Sequence, residues 1–229
     1  MGAKKITTGE GKISSSNRAY QMLRERLLRF KILPNQKINE VTLAAELNVS
    51  RTPLREALNR LVAEGLLVNR ERGLSVPDLE PELVCELFEA RVEIECSIIR
   101  LACERASDDD LAEIANFLTK SAAESPEAST DRLIELDIHF HDTIAQLSGN
   151  RVLHRTLSNL NDRIHLVRWI AMEGRRERTQ SEHREILERI RARDTDGAVA
   201  AVREHIIHRN EDILSAIKAA YGHVYTLTA

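Results

Sequence analysis

Asp137 and His141 stand four residues apart in the run Asp137-Ile138-His139-Phe140-His141. That spacing puts both side chains on one face of a helix and sends His139 roughly to the other. A carboxylate and an imidazole so placed form a two-point grip for a divalent metal. His183 and, 22 residues further on, His205 are further candidates. One carboxylate and three imidazoles drawn from three helices suit zinc or a neighbouring transition metal, and they leave positions open for water or an acid. A plainer reading stays open beside this one: the chain has eight histidines, any of them can be an ordinary hydrogen-bonded residue, and spacing along a chain establishes no contact.

A second group suits a different chemistry. Ser50, Arg51, Thr52 and Arg55 open a helical pattern whose apolar stripe is Leu54, Ala57, Leu58 and Leu61, with Asn59 on the exposed face one turn on. The planar fork of arginine can span O6 and N7 of guanine, and hydroxyls can bind phosphate or either base edge. Further along, Arg70 and Arg72 can track phosphates beside Gly73, which permits a close backbone approach. Here too the alternative is bland: Arg51 and Arg55 can simply solvate an amphipathic helix or pair with Glu56 and Glu64.

The elements that must position these residues follow from periodicity and punctuation. Tyr20, Leu23, Leu27, Leu28 and Phe30 fall at helical spacing, with a cap available between Ser14 and Asn17 and an end near Lys31. Ile32 to Asn35 is a turn, residues 38–47 a short second helix broken at Asn48-Val49, and Ser50 a cap for a third helix that runs to about Glu64 and stops at Gly65. Residues 66–70 and 74–76 read as two strands of a hairpin. Three short helices and a hairpin make a winged helix-turn-helix, whose helix after the turn enters the major groove. Beyond Pro81 the pattern is helical throughout, over about 81–106, 109–124, 129–148, 150–172, 176–193 and 195–221, an antiparallel six-helix bundle. The expected divisions are a mobile arm at 1–14, a winged helix-turn-helix DNA-binding domain at 15–77, a linker at 78–80, an all-helical domain at 81–222 and a tail at 223–229.

Composition agrees with a mainly α chain. Of 229 residues 42% are hydrophobic and 30% charged, but only 3% aromatic, so the core must be aliphatic and a disordered chain is excluded. The net charge of −3 hides a division: residues 1–76 carry +7 and residues 77–229 carry −10. The basic part suits a polyanion such as DNA. Cys85, Cys96 and Cys103 return to nearly one helical azimuth and read as buried core residues, since three cysteines without a CxxC pair suit neither a disulfide framework nor a thiolate zinc site. No apolar run approaches the ~20 residues of a membrane span, and Met1 to Glu10 lacks the apolar stretch of a secretory signal, so a cytoplasmic protein is expected.

The run Leu33-Pro34-Asn35, Asn39-Glu40, Leu43-Ala44, Leu47 to Leu58, then Leu61, Glu64-Gly65-Leu66 and Gly73 resembles the DNA-binding domain of GntR-family bacterial transcription regulators. The resemblance implies base and phosphate contacts from Ser50, Arg51, Thr52 and Arg55 and a wing contact near Arg72 and Gly73. Asn35 and Asn48 stand where that family usually has glycine, a replacement asparagine permits because it tolerates positive φ. Val41 stands where fatty-acid-responsive members carry a further recognition arginine. Residues 81–221 resemble the FCD effector domain of the FadR branch, in its six-helix, VanR-like form. Metal-binding members have Asp-x3-His, a histidine on the penultimate helix and another on the last, and Asp137, His141, His183 and His205 match these in order. Arg91 matches an arginine that often faces the effector cavity, where it can hold the far carboxylate of an acid bound to the metal; alternatively it pairs with Glu95, four residues on. Ser148-Gly149-Asn150 also fits the pattern, with Asn150 more suited to capping the next helix than to touching ligand.

The expected function is therefore a non-enzymatic, ligand-responsive transcription regulator. It would bind a palindromic DNA operator as a homodimer and sense a small carboxylate at a divalent metal, zinc or alternatively nickel. Two rivals keep the metal residues but change their use: a metal-dependent hydrolase or oxygenase, and a metal sensor with no organic effector. The first lacks an HExxH motif and leaves residues 15–76 unexplained.

Overall fold

The computed structural model describes residues 14–71, 73–78, 80–125, 127–171 and 176–208. The chain divides into two compact units, Met1–Asp78 and Leu79–Ala229. Arg72, residues 1–13 of the expected arm, the tail at 223–229, and the part of the last expected helix beyond residue 208 lie outside the described residues.

In the first unit, α1 (Ser15–Leu28) starts where the Ser14 side chain accepts from the Asn17 amide, satisfying one of the orphan donors of the first turn. Then come α2 (Glu40–Glu46), capped by Asn39 on the amides of Val41 and Thr42, and α3 (Arg51–Ala63). Ser50 is the residue before α3, but its side chain makes no capping bond. Two tight corners set the path between helices. Asn35 and Asn48 sit at φ +61° and +49°, the left-handed region, and Gly65 ends α3 at φ +74°. Ala19, Leu23 and Leu27 of α1 close over Leu54, Ala57, Leu58 and Leu61 of α3, with Leu43, Leu47, Leu66 and Leu67 completing an aliphatic core. Strands β1 (Val68–Arg70) and β2 (Gly73–Ser75) pair antiparallel, Asn69 opposite Leu74. The hairpin is tied to the first turn: the Ile38 amide donates to the Leu74 carbonyl at 2.8 Å and the Asn35 amide to Val76 at 3.1 Å.

The second unit is helical. It holds α4 (Pro81–Arg105), α5 (Asp108–Ala122), α6 (Thr130–Leu147), α7 (Arg151–Arg163), α8 (His165–Ala171), α9 (Arg176–Arg191) and α10, helical from 195 to the last described residue, 208. Each junction has a chemical cause. Ser107 and Asp110 form a reciprocal capping box for α5, Ser129 caps α6, and Asn150 caps α7 by accepting from Val152 and Leu153. α4 lies against α6, α7 and α9, and α5 against α6 and α9. Cys96 and Cys103 are buried in this core and Cys85 is partly buried.

One expected element differs. The helix read over 150–172 is two helices, α7 and α8, separated at Ile164, whose backbone leaves helical geometry at φ −94°, ψ 3°. No glycine or proline marks the break. Its effect is to re-aim the chain so that Arg168 meets Asp137 and the Trp169 indole N–H reaches Asp131 at 3.0 Å. Among the described residues, no helix is long and apolar enough to cross a membrane.

Candidate metal centre and DNA-reading face

Asp137 and His141 lie one turn apart on α6, both buried, as the four-residue spacing requires. His183 arrives from α9 and His205 from α10, each 1% exposed. Each of the four offers a donor atom, and these donor atoms all lie within 4.8 Å of one another. His139 is exposed and meets the edge of Phe117 instead, ring centroids 4.5 Å apart.

Two carboxylates behind the histidines decide what the cluster can hold. Glu95 on α4 faces Nδ1 of His141 at 2.5 Å, and Glu182 on α9 faces Nδ1 of His205 at 2.7 Å. A carboxylate accepts, so in each ring Nδ1 is the donor, and in the neutral imidazole Nε2 then carries the lone pair. Those two Nε2 atoms face each other at 3.2 Å. Two lone pairs cannot hydrogen-bond to one another; a cation between them, a metal ion or a shared proton, resolves the arrangement. Carboxylate-backed imidazoles are the usual outer support of a metal-ligating histidine. A donor set of one carboxylate oxygen and three imidazole nitrogens therefore fits a borderline divalent ion.

The remaining groups are held as firmly. His183 stacks on Phe140, centroids 4.0 Å apart at 17°, and its Nε2 lies 3.3 Å from Oδ1 of Asp137. The other carboxylate oxygen of Asp137 accepts from Arg168, whose Nη1 also donates to Asn161 at 3.2 Å. Arg91 is 2% exposed, its Nε donating to Glu95 at 2.6 Å. Burial drives the Glu95 carboxyl up, but Arg91 and His141, through charge and hydrogen bonds, outweigh it and hold the group well below the usual carboxylate range. Thus the i, i+4 pair with Glu95 is formed. It uses only part of the guanidinium, and Arg91 Nη2 is buried with no hydrogen-bond partner. Asp137 also lines a small pocket, with Leu133, Leu136, Arg176, Thr179 and Gln180.

Sequence reasoning did not reach Glu182, Arg168 or the role of Glu95 toward His141. Glu95 and Arg168 carried one detectable signal, a charged residue at a position that helical periodicity assigns to the buried face. Glu182 carried none, because its partner is on another helix.

On the first unit, Ser50, Arg51, Thr52, Arg55 and Asn59 are all exposed on or just before α3, opposite the buried leucines. Arg55 Nε is held by Glu40 at 2.9 Å; neither Glu56 nor Glu64 takes it. Glu64 instead accepts from Arg60 and from the Tyr20 hydroxyl at 2.7 Å. Gly73 is exposed at φ +112°, and a Cβ there would sit 3.6 Å from the Lys37 side chain, so backbone conformation rather than space calls for glycine. Val41 is 66% exposed.

Residues 15–75 match the family of bacterial regulatory proteins named gntR, and residues 86–208 match the FCD domain. The chain belongs to the GntR family, with an FCD domain behind its winged helix. Similar proteins include the Nta operon transcriptional regulator of Aminobacter aminovorans, 40% identical over 84% of this chain and 91% of that protein, and the transcriptional repressor RspR of Escherichia coli K12, 25% identical over 85% and 86%. Among solved structures, this GntR chain superposes on E. coli McbR/YncC with a TM-score of 0.75 at 25% identity, covering 89% of this chain and 98% of that one. The Zn2+-bound FCD domain of TM0439 shares the fold at 23% identity and a TM-score of 0.50, over 61% and 96%. This GntR chain is a DNA-binding transcription regulator.

Proposed function

We propose that this regulator binds a palindromic operator as a homodimer through Ser50, Arg51, Thr52, Arg55 and the wing at Arg72 and Gly73, and senses a small organic acid at a divalent ion held by Asp137, His141, His183 and His205. The observation that carries the sensing half is the convergence of four buried donors from three helices, with both paired Nε2 lone pairs turned toward one another. The zinc-bound state of a related FCD domain supports zinc as the ion, with nickel the next candidate. Three nitrogens and one oxygen leave a six-coordinate ion two open positions, which a carboxylate can take by displacing water. Arg91, with Nη2 available, would hold the acid's other end.

Output follows by linkage. An acid that prefers one arrangement of the helical domain changes operator affinity only by its differential affinity for the two states. The test is a parallel titration: zinc-loaded and chelator-stripped protein, each with a panel of small mono- and dicarboxylates, while operator binding is followed by fluorescence anisotropy. Sensitivity to an acid only in the loaded protein supports the reading. Response to zinc with none to any acid replaces it with metal sensing, and zinc uptake well below one ion per chain removes the site.

A further inference from the structure

Glu95 is the one described carboxylate that touches both halves of the proposed sensor. Its Oε2 meets Nδ1 of His141 at 2.5 Å and its Oε1 meets Nε of Arg91 at 2.6 Å. All three side chains are buried, Arg91 at 2%, Glu95 at 3% and His141 at 2% exposed. At such burial these bonds are shielded from water, so Glu95 restrains the orientation of both its partners. Nothing in the helical spacing required this: Glu95 is on α4 with Arg91, while His141 is 46 residues away on α6.

We infer that Glu95 is a positioning residue that joins metal ligation by His141 to anion capture by Arg91. The inference rests on the metal reading above and adds the coupling between its two parts. One oxygen fixes the His141 tautomer so that Nε2 faces the ion, and the other fixes the plane of the guanidinium so that Nη2 is presented to a ligand. A carboxylate suits both tasks because it accepts at each end. A carboxamide cannot: Gln at this position accepts from Nδ1 or from Nε, and its NH2 opposes the remaining donor. An acid drawn onto Arg91 shares the guanidinium charge with Glu95 and so alters the support of His141. This gives ion and acid a reciprocal influence on each other's affinity without a shared ligand atom.

The experiment uses full-length protein stripped of metal, with zinc alone as the first probe. By calorimetry, Glu95→Gln should weaken zinc about 10- to 100-fold relative to wild type, the range expected for loss of an outer-shell partner. Arg91→Lys, which keeps the charge but loses the fork, should weaken zinc several-fold. The double variant should be no weaker than Glu95→Gln alone, because both changes act through one carboxylate. Wild-type binding of one zinc, with Glu95→Gln within twofold of it or with strictly additive losses, overturns the coupling and leaves the metal site standing. No zinc binding by wild type overturns both. If Glu95→Gln fails to fold, the wild-type protein still answers: 15N-resolved imidazole spectra of the zinc-loaded form should show His141 metallated at Nε2 and protonated at Nδ1. Coordination through Nδ1 overturns the inference.

Discussion

Nε2 of His141 on α6 and Nε2 of His205 on α10 face each other at 3.2 Å inside the helical unit, each ring braced from behind by a carboxylate on a different helix. Two helices distant in sequence are thus held at a separation that suits a shared ion and offers no neutral hydrogen bond.

Removing the ion should therefore loosen the unit. An ion that binds only the folded chain stabilises it by about 2.7 kcal/mol at a free concentration a hundred times its dissociation constant. Chelation should lower the melting temperature and added zinc should restore it. His183→Ala and His205→Ala should each reduce zinc retained after dialysis, whereas His139→Ala, exposed against Phe117, should retain one ion per chain.

At saturating zinc, where a several-fold weaker site is still filled, acid recognition should be lost at Arg91. Arg91→Lys keeps a cation near Glu95 but gives up the unpartnered Nη2. About tenfold weaker acid binding is expected in the zinc-loaded variant, with metal stoichiometry unchanged by elemental analysis. Arg91→Met strands the Glu95 carboxylate in the core and should cost about 3–5 kcal/mol of stability.

On DNA, Arg51→Ala and Arg55→Ala should each weaken specific binding by about ten- to hundredfold per half-site while non-specific binding changes far less. Arg55 has a competitor in Glu40, 2.9 Å away. Glu40→Gln should consequently tighten operator binding a few-fold, because the guanidinium is released and a negative charge beside the DNA is removed. Anisotropy at fixed salt measures all three. Equal affinity in all of them would take α3 out of the reading role.

Tyr20 supplies a pH signature for the first unit. Burial, then the Glu64 hydrogen bond and charge, push its hydroxyl from the ordinary 10.0 up to about 12. A raised folded value means that the stabilisation is complete below pH 10 and is lost as pH rises toward 12. The tyrosinate absorbance of wild type minus that of Tyr20→Phe should show a midpoint near 12 in the folded protein and near 10 in denaturant. Matching midpoints would mean that the 2.7 Å bond to Glu64 is not maintained in solution.

The DNA-reading unit was legible because its determinants are local. Asn35 and Asn48 turn the chain at positive φ, Gly65 stops α3, and the leucine stripe of α3 fixes which residues are exposed. Asp137 and His141 were legible for the same reason, as a single helical turn. Their gathering with His183 and His205 depended on resemblance, since it is set by how α6, α9 and α10 pack. Glu182 lay beyond reach of pattern altogether, because it acts across to α10; Arg168 showed only as a charge on a buried face, and its delivery to Asp137 by the break at Ile164 is announced by no helix-breaking residue.

His205 comes from the last described helix, which gives the protein an order of completion. A growing chain emerges N-terminus first, and domains fold as units as they appear; every residue from α1 to β2 is in place long before the fourth donor exists. Premature termination or proteolysis after α9 would leave the reading head whole while opening the donor set on one side. Under the proposed function, such a fragment keeps the residues that face DNA and loses one of the four donors through which ion and acid would act on them.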